Sequence, residues 1–283
     1  MATVALAKYH GLGNDFLVLF DAERSLPFTA ELAVALCERH RGVGADGLLR
    51  ISSGRHGASF AMELRNADGG VAETSGNGLR CAVLAAVHAG LVPAGEVLVE
   101  TFAGTARAAI GAGAGGVVPV EAEVRVEMGV ARVGDEVASP LDGVRARLVD
   151  VGNPHLVLVG DSLADVDLAT SGPVLEASRP GGVNVEFVVA GPARDSLELV
   201  VWERGAGLTE ACGSGSCAAA AVARAVGIVG DRVVVRNPGG TLVVELTGAE
   251  VLQPSVALRG PARRVARVLV ELDDLLESAE VGA

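Results

Sequence analysis

The chain has 283 residues, 50% of them hydrophobic and 20% charged, with a formal net charge of −12. That length admits a sizeable core in one large domain or two ordinary ones. The acidic balance excludes nucleic acid and anionic membrane surfaces as partners, because both call for a basic face. It leaves room for a small anion held by a helix end and a single arginine.

Aromatic residues make up only 3%, so the core is built of Val, Leu and Ala. In chain order, short runs rich in β-branched residues predict strands at 3–8, 16–20, 47–52, 59–64, 97–102, 105–110, 117–127, 145–151, 155–159, 184–189, 197–202, 232–236, 241–246 and 255–258. Turn clusters such as RNADGG, GAGAGG and RNPGG separate them. Helical signals are fewer. TAELAVALCERH (29–40) opens on a Thr cap, and GNGLRCAVLAAVHAG (76–90) and GSGSCAAAAVARAVG (213–227) are Ala-rich and end on Gly. A fourth helix falls in 161–178, interrupted at Gly172-Pro173. The fold class is therefore α+β, mostly antiparallel. The GAGAGG stretch, 111–116, is the best domain boundary.

Cys37, Cys81, Cys212 and Cys217 have neither a disulfide-framework spacing nor His partners for zinc, so no metal is expected. The first residues lack the charged lead of a signal peptide, and the longest apolar runs are too short to span a membrane. A reducing cytoplasm is the expected compartment.

Two stretches share one design. AETSGNGLRC (72–81) and TEACGSGSCAAAA (209–221) each run from a short polar residue through a Gly-x-Gly turn into an Ala-rich helix. Placing Ser75 on Cys212 gives an offset of 212 − 75 = 137, which also puts Glu73 on Glu210, Gly76 on Gly213, Asn77 on Ser214 and Gly78 on Gly215. Self-similarity of this kind points to duplicated halves. A helix N-terminus carries unpaired N–H groups and partial positive charge, and glycines let a ligand approach the backbone closely. Each unit is an anion cradle, and a thiol there falls from a pKa of about 8.5 toward neutrality. Cys212 is placed to be such a thiolate. It reads equally well as an inert buried cysteine. A carboxylate held by two such cradles would have a more acidic Cα–H, since the same donors meet the charge that develops. An acid and a base on opposite faces would then invert the stereocentre without a cofactor.

The ordered set KYHGLGNDF (8–16), RGVGADGLLRI (41–51), RNADGGVAETSGNGLRC (65–81), DVGNPHLV (150–157), GVNVEFV (182–188), WERGAGLTEACGSGSCAAAAVA (202–223), NPGGTLVVE (237–245) and LRGPA (258–262) resembles the diaminopimelate epimerases nearly end to end. These are cofactor-independent, two-thiol enzymes of lysine and peptidoglycan-precursor synthesis. The resemblance implies two pseudo-symmetric domains, each a mostly antiparallel barrel-like sheet around a central helix. They would comprise 1–115 with 263–283, and 116–262. The last strand, 263–272, would return to the first domain, and the active site would lie in the cleft between the two. It further implies a small amino-acid substrate, conversion of LL- to meso-diaminopimelate, a homodimer and a cleft that closes on substrate.

Carried over position by position, Cys212 matches one catalytic cysteine, and Ser75 stands where the other is expected. Asn14, Asn66, Asn153 and Asn184 match substrate-holding amides. Glu203 matches the group that meets an ammonium, and Arg204 the one that binds the distal carboxylate. Gly76, Asn77, Gly213 and Ser214 offer backbone N–H groups to the reacting carboxylate, and His155 matches a further site residue. Read without the resemblance, Asn66 and Asn153 are ordinary turn residues and Glu203–Arg204 a surface ion pair. Because a serine is a far weaker acid than a thiol, Ser75 keeps other readings open. These are another amino-acid racemase or epimerase, a one-base dehydratase on the same fold, or a catalytically disabled amino-acid-binding homologue or mutant.

Overall fold

The structure, a computed structural model, describes residues 3–72, 75–113, 116–139, 141 and 143–272. Glu73 and the acidic tail at 278–283 lie outside the described residues. In chain order the elements are β1 (Thr3–Gly11), β2 (Asn14–Phe20), α1 (Ala30–Cys37), β3 (Gly47–Ser52), β4 (Phe60–Asn66), α2 (Gly76–His88), β5 (Gly95–Thr101), β6 (Gly104–Ile110), β7 (Glu121–Val130) and β8 (Arg132–Val137). They continue with β9 (Arg145–Asp150), β10 (Pro154–Val159), α3 (Leu168–Glu176), β11 (Asn184–Ala190), β12 (Ser196–Glu203), β13 (Gly207–Thr209), α4 (Gly213–Ala225), β14 (Arg232–Asn237), β15 (Gly240–Thr247) and β16 (Ser255–Glu271). The chain forms two compact units. One holds the residues up to Val126 with those from Pro261 on; the other is Glu127–Gly260.

In the first unit the strands follow in order from β1 to β7, and β1 also pairs with the end of β16, from Thr3↔Glu271 to His10↔Arg263. β7 neighbours β16, and the Arg264 N–H reaches the Val120 carbonyl at 2.9 Å, so the strands wrap around α2. In the second unit the order is β8-β9-β10-β11-β12-β14-β15-β16, with β13 on β12. Backbone bonds from Ala131 to Pro254 (3.0 Å) and from Val133 to Leu252 (2.8 Å) bring its two ends together around α4. The β2–β3, β4–β5, β10–β11 and β12–β14 pairs are parallel. A parallel pair needs a crossover, and α1, α2, α3 and α4 supply one each.

The offset of 137 extends well beyond the two Gly-x-Gly turns. It carries Gly47, the start of β3, onto Asn184, the start of β11 (47 + 137 = 184), and α2 onto α4 residue for residue (76 + 137 = 213; 88 + 137 = 225). It carries β5 onto β14 as well (95 + 137 = 232). The pairing senses repeat with it. Each central helix is buried continuously, from Gly76 to Ala86 and from Gly213 to Ala223. A helix enclosed by strands has no solvent face, and the space inside a small barrel is narrow. The Ala- and Gly-rich composition answers both demands.

Several expectations change. β8 and β13 are additional strands, and β7 begins at Glu121 rather than 117. The runs at 255–258 and 263–272 are one 17-residue strand, β16. Pro261 is tolerated inside it because pairing to β15 ends at Arg259 and pairing to β1 starts at Arg263. Its missing N–H falls in the changeover. α3 runs through Gly172-Pro173 without a break, started by Asp167, whose carboxylate accepts from the N–H groups of Ala169 and Thr170. Among the described residues no helix is long and apolar enough to cross a membrane.

Gly172 is fixed by packing: a Cβ there would lie 2.3 Å from Cδ2 of Trp202, whose indole N–H bonds Glu176 at 2.7 Å. Gly172→Ala is expected to cost about 1–3 kcal/mol and to shift the emission of Trp202, the only tryptophan. Fluorescence-detected urea unfolding checks both; an unchanged midpoint and spectrum would contradict the packing.

Candidate active site

In the first unit, β4 ends on Asn66 and the chain returns as α2. Ser75 is its N-cap, in extended backbone (φ −141°, ψ 107°), and its Oγ accepts from the Gly78 N–H at 2.9 Å. That bond uses a lone pair and leaves the hydroxyl proton free to be donated. Asn77, the next turn residue, is buried. Its Nδ2 donates to Asn14 Oδ1 (3.2 Å), and its Oδ1 accepts from the buried Arg80 (2.8 Å). Asn14 Nδ2 donates to Asp46 (2.9 Å), and Arg39 bridges Asp46 and Asp15. Lys8 also meets Asp15, at 2.7 Å. Asn66 is exposed, and its backbone closes the turn to Gly69 and Gly70.

The second unit repeats the device. Cys212 caps α4 (φ −115°, ψ 118°), and its Sγ accepts from the Gly215 N–H at 3.3 Å. Ser214 Oγ is 3.5 Å from Sγ, and Asn153 Nδ2 reaches Ser214 Oγ at 3.5 Å. Behind Asn153 lies His155, fully buried, with Nε2 2.9 Å from Asn153 Oδ1 and Nδ1 2.7 Å from Glu186 Oε1. Glu203, at the end of β12, accepts from Thr209 Oγ1 at 2.5 Å. Asn184 uses both ends of its amide within the unit: Nδ2 donates to the Pro154 carbonyl (2.9 Å) and Oδ1 accepts the Arg204 N–H (3.0 Å). Arg204 is exposed and its guanidinium meets the Gly181 carbonyl at 3.1 Å. Cys212, Ser214, Asn153, His155 and Glu203 are thus gathered at one end of α4, while Arg204 and Asn184 stand beside them at the ends of β12 and β11.

The pattern of diaminopimelate epimerase matches residues 6–133 and 147–265. The chain belongs to the diaminopimelate epimerase family. Relatives that bear the name include one from Rhodospirillum centenum, 40% identical over 260 residues that cover 85% of this chain and 84% of that one. Another, from Nostoc punctiforme, is 32% identical over 93% of this chain and 98% of its own. A crystal structure described as a probable proline racemase from Agrobacterium radiobacter shares the fold, with a TM-score of 0.74 at 20% identity over 98% of this chain and 95% of that one. A PhzF-family phenazine biosynthesis protein from Bacillus anthracis shares it too, with a TM-score of 0.76 at 17% identity, covering 96% and 100%.

In this member of the family the thiol environment differs from the expected thiolate. Burial pushes the Cys212 thiol well above the ordinary cysteine range, and the carboxylates of Glu203 and Glu186 push it the same way. The Ser214 and Gly215 donors pull in the opposite direction but do not win. The helix-end effect expected from sequence is outweighed because Cys212 is almost wholly buried, where an extra charge costs most. Glu203 is likewise raised, by burial first and by Glu186, against its bonds to Thr209 and Cys212. The resting site therefore keeps Cys212 as S–H. Cys37 and Cys81 are buried thiols pushed up to about 12, and Cys217 is a buried cysteine of α4 outside any disulfide.

Sequence reasoning missed Glu186, Thr209 and Arg80. For Glu186 a signal existed: an acidic residue inside the apolar run NVEFVV belongs on a buried strand and needs a partner there.

Because Glu203 raises the Cys212 thiol, Glu203→Gln should lower its titration midpoint. Thiolate absorbance near 240 nm, with Cys212→Ala subtracted, reads the midpoint. An unchanged or higher value would contradict the electrostatics.

Proposed function

We propose that this chain interconverts LL- and meso-diaminopimelate by moving the hydrogen on one Cα, without a cofactor. The observation that carries the reading is the doubled N-cap: residue i accepting from the N–H of i+3, Ser75 from Gly78 and Cys212 from Gly215, at the head of two buried helices. The substrate's reacting carboxylate lies against the N–H groups of Gly76, Asn77, Gly213 and Ser214. There, the charge that grows as the Cα–H bond breaks is already met by fixed donors. Asn14, Asn66, Asn153 and Asn184 hold the polar ends of the substrate. Glu203 faces its ammonium group, and Arg204 pairs with the distal carboxylate.

Cys212 serves one face of the carbon. It begins as S–H; as substrate enters, that proton passes to solvent water, and the substrate ammonium nearby supplies the positive charge that stabilises the thiolate. The proton leaves Cα for sulfur as the electron pair moves into the carboxylate, and the opposite face is reprotonated. Ser75, whose hydroxyl proton is free to donate, serves that face through a relayed water. Four cysteines outside any disulfide fit a reducing cytoplasm. Leu269 and Val265, exposed on β16, fit self-association into a homodimer.

Ser75 in place of a thiol favours a second reading, one-base exchange at Cys212 without inversion. Incubation with LL-diaminopimelate in D₂O separates the two. The proposal expects Cα deuteration together with meso product; deuteration without meso product supports the second reading, and neither signal overturns both. Cys212→Ala should lower exchange by about 10²–10⁴-fold, while Ser75→Cys should raise meso formation. Turnover that survives Cys212→Ala would end the mechanism.

A further inference from the structure

Glu186 has no part in the chemistry above, yet it is fully buried against the first turn of α4. A Cβ on Gly215 would lie 2.6 Å from Glu186 Oε1 and 3.2 Å from Cys212 Sγ, so only glycine lets the carboxyl and the thiol share this turn. Oε1 meets His155 Nδ1 at 2.7 Å, and Oε2 has no hydrogen-bond partner among the described residues. An isolated carboxylate here would be costly. It would also stand near a thiol and a second carboxylate, Glu203. The Glu186–His155 pair is cheapest with no net charge, either as carboxylate and imidazolium or as carboxylic acid and neutral imidazole. As long as Oε2 carries no hydrogen, both forms place one hydrogen between Oε1 and Nδ1 and the other on Nε2.

That second hydrogen has a defined destination. Nε2 faces Asn153 Oδ1 at 2.9 Å, and an amide oxygen only accepts. The Asn153 amide is therefore locked with its NH₂ turned toward Ser214, beside Cys212. A ring carrying its only hydrogen on Nδ1 would set a lone pair against Oδ1 and turn the amide over.

The duplicated half shows that the fold does not need this pair. In the first unit Phe16 pairs with Gly47 as His155 pairs with Asn184, and Leu49 lies two residues along β3 as Glu186 lies two residues along β11. Phe16 and Leu49 are both buried and apolar. The same barrel position is thus filled by hydrocarbon in one half and by a hydrogen-bonded acid and base in the other.

We propose that Glu186 is a positioning residue, keeping hydrogen on His155 Nε2 so that Asn153 presents its NH₂ to the ligand beside Cys212. The proposal deepens the functional reading and rests on Asn153 as a substrate ligand. Its first test needs no turnover. In ¹⁵N-histidine-labelled protein at neutral pH, the His155 ring should show a protonated Nε2; a bare Nε2 overturns the proposal. Glu186→Leu, which copies Leu49, should fold, lose that fixed ring state, and raise KM for LL-diaminopimelate about 10-fold or more, with a smaller change in kcat. Glu186→Gln, which can still donate to Nδ1, should recover most of the KM. Adding Asn153→Ala to Glu186→Leu should cost little more than either alone. Unaltered KM and ring signals in Glu186→Leu, or strict additivity with Asn153→Ala, would reduce Glu186 to packing. Should Glu186→Leu not fold, the ring signal of the wild type and the KM of Glu186→Gln still decide. A protein without any exchange from LL-diaminopimelate would sink the functional reading and leave the ring result to stand or fall by itself.

Discussion

A buried helix must dispose of the N–H groups of its first turn, and this requirement organises both halves of the protein. α2 and α4 run inside walls of strands, where no solvent reaches most of their length. Each meets the requirement in part with one short side chain, Ser75 or Cys212, that accepts a single N–H. The start of a helix also carries partial positive charge, for which a carboxylate is a natural partner. The strand–helix–strand crossovers fix where those ends lie, because each parallel pair forces the helix to start just beyond the strand before it.

Duplication supplies the scaffold, and the differences between the copies supply the chemistry. Asn14 and Asn153 occupy the same place two residues before the paired positions Phe16 and His155. Asn66 and Glu203 end equivalent strands (66 + 137 = 203). Ser75 is half-buried, whereas Cys212 is almost completely enclosed among acidic groups. Burial and like charge push the thiol in one direction and helix-end donors push it in the other. The balance favours the protonated thiol, where the helix end alone would favour the thiolate.

The parts legible in sequence are those governed by local rules. The two Gly-x-Gly turns and the Ala-rich helices announce themselves, and the offset between them predicts the duplication that the strands then follow. What stayed hidden depends on contacts distant in sequence. β16 reads as two strands because Pro261 looks like a stop, and only the change of partner from β15 to β1 explains its tolerance. α3 reads as interrupted because the packing of Gly172 on Trp202 cannot be seen from its own residues. Glu186 was passed over because its partner, His155, is on another strand, and the helix-end effect on Cys212 was overvalued because burial is a property of the fold.

The proposed function turns on one carboxylate being bound by the first turns of α2 and α4 together. A crystal structure with a non-reacting diaminopimelate analogue tests it most directly. The expected result is a carboxylate within about 3 Å of N–H groups from both Gly76–Asn77 and Gly213–Ser214, with Cα between Ser75 Oγ and Cys212 Sγ. A ligand bound at one helix end only, with the other residue facing away from the carbon, would contradict it.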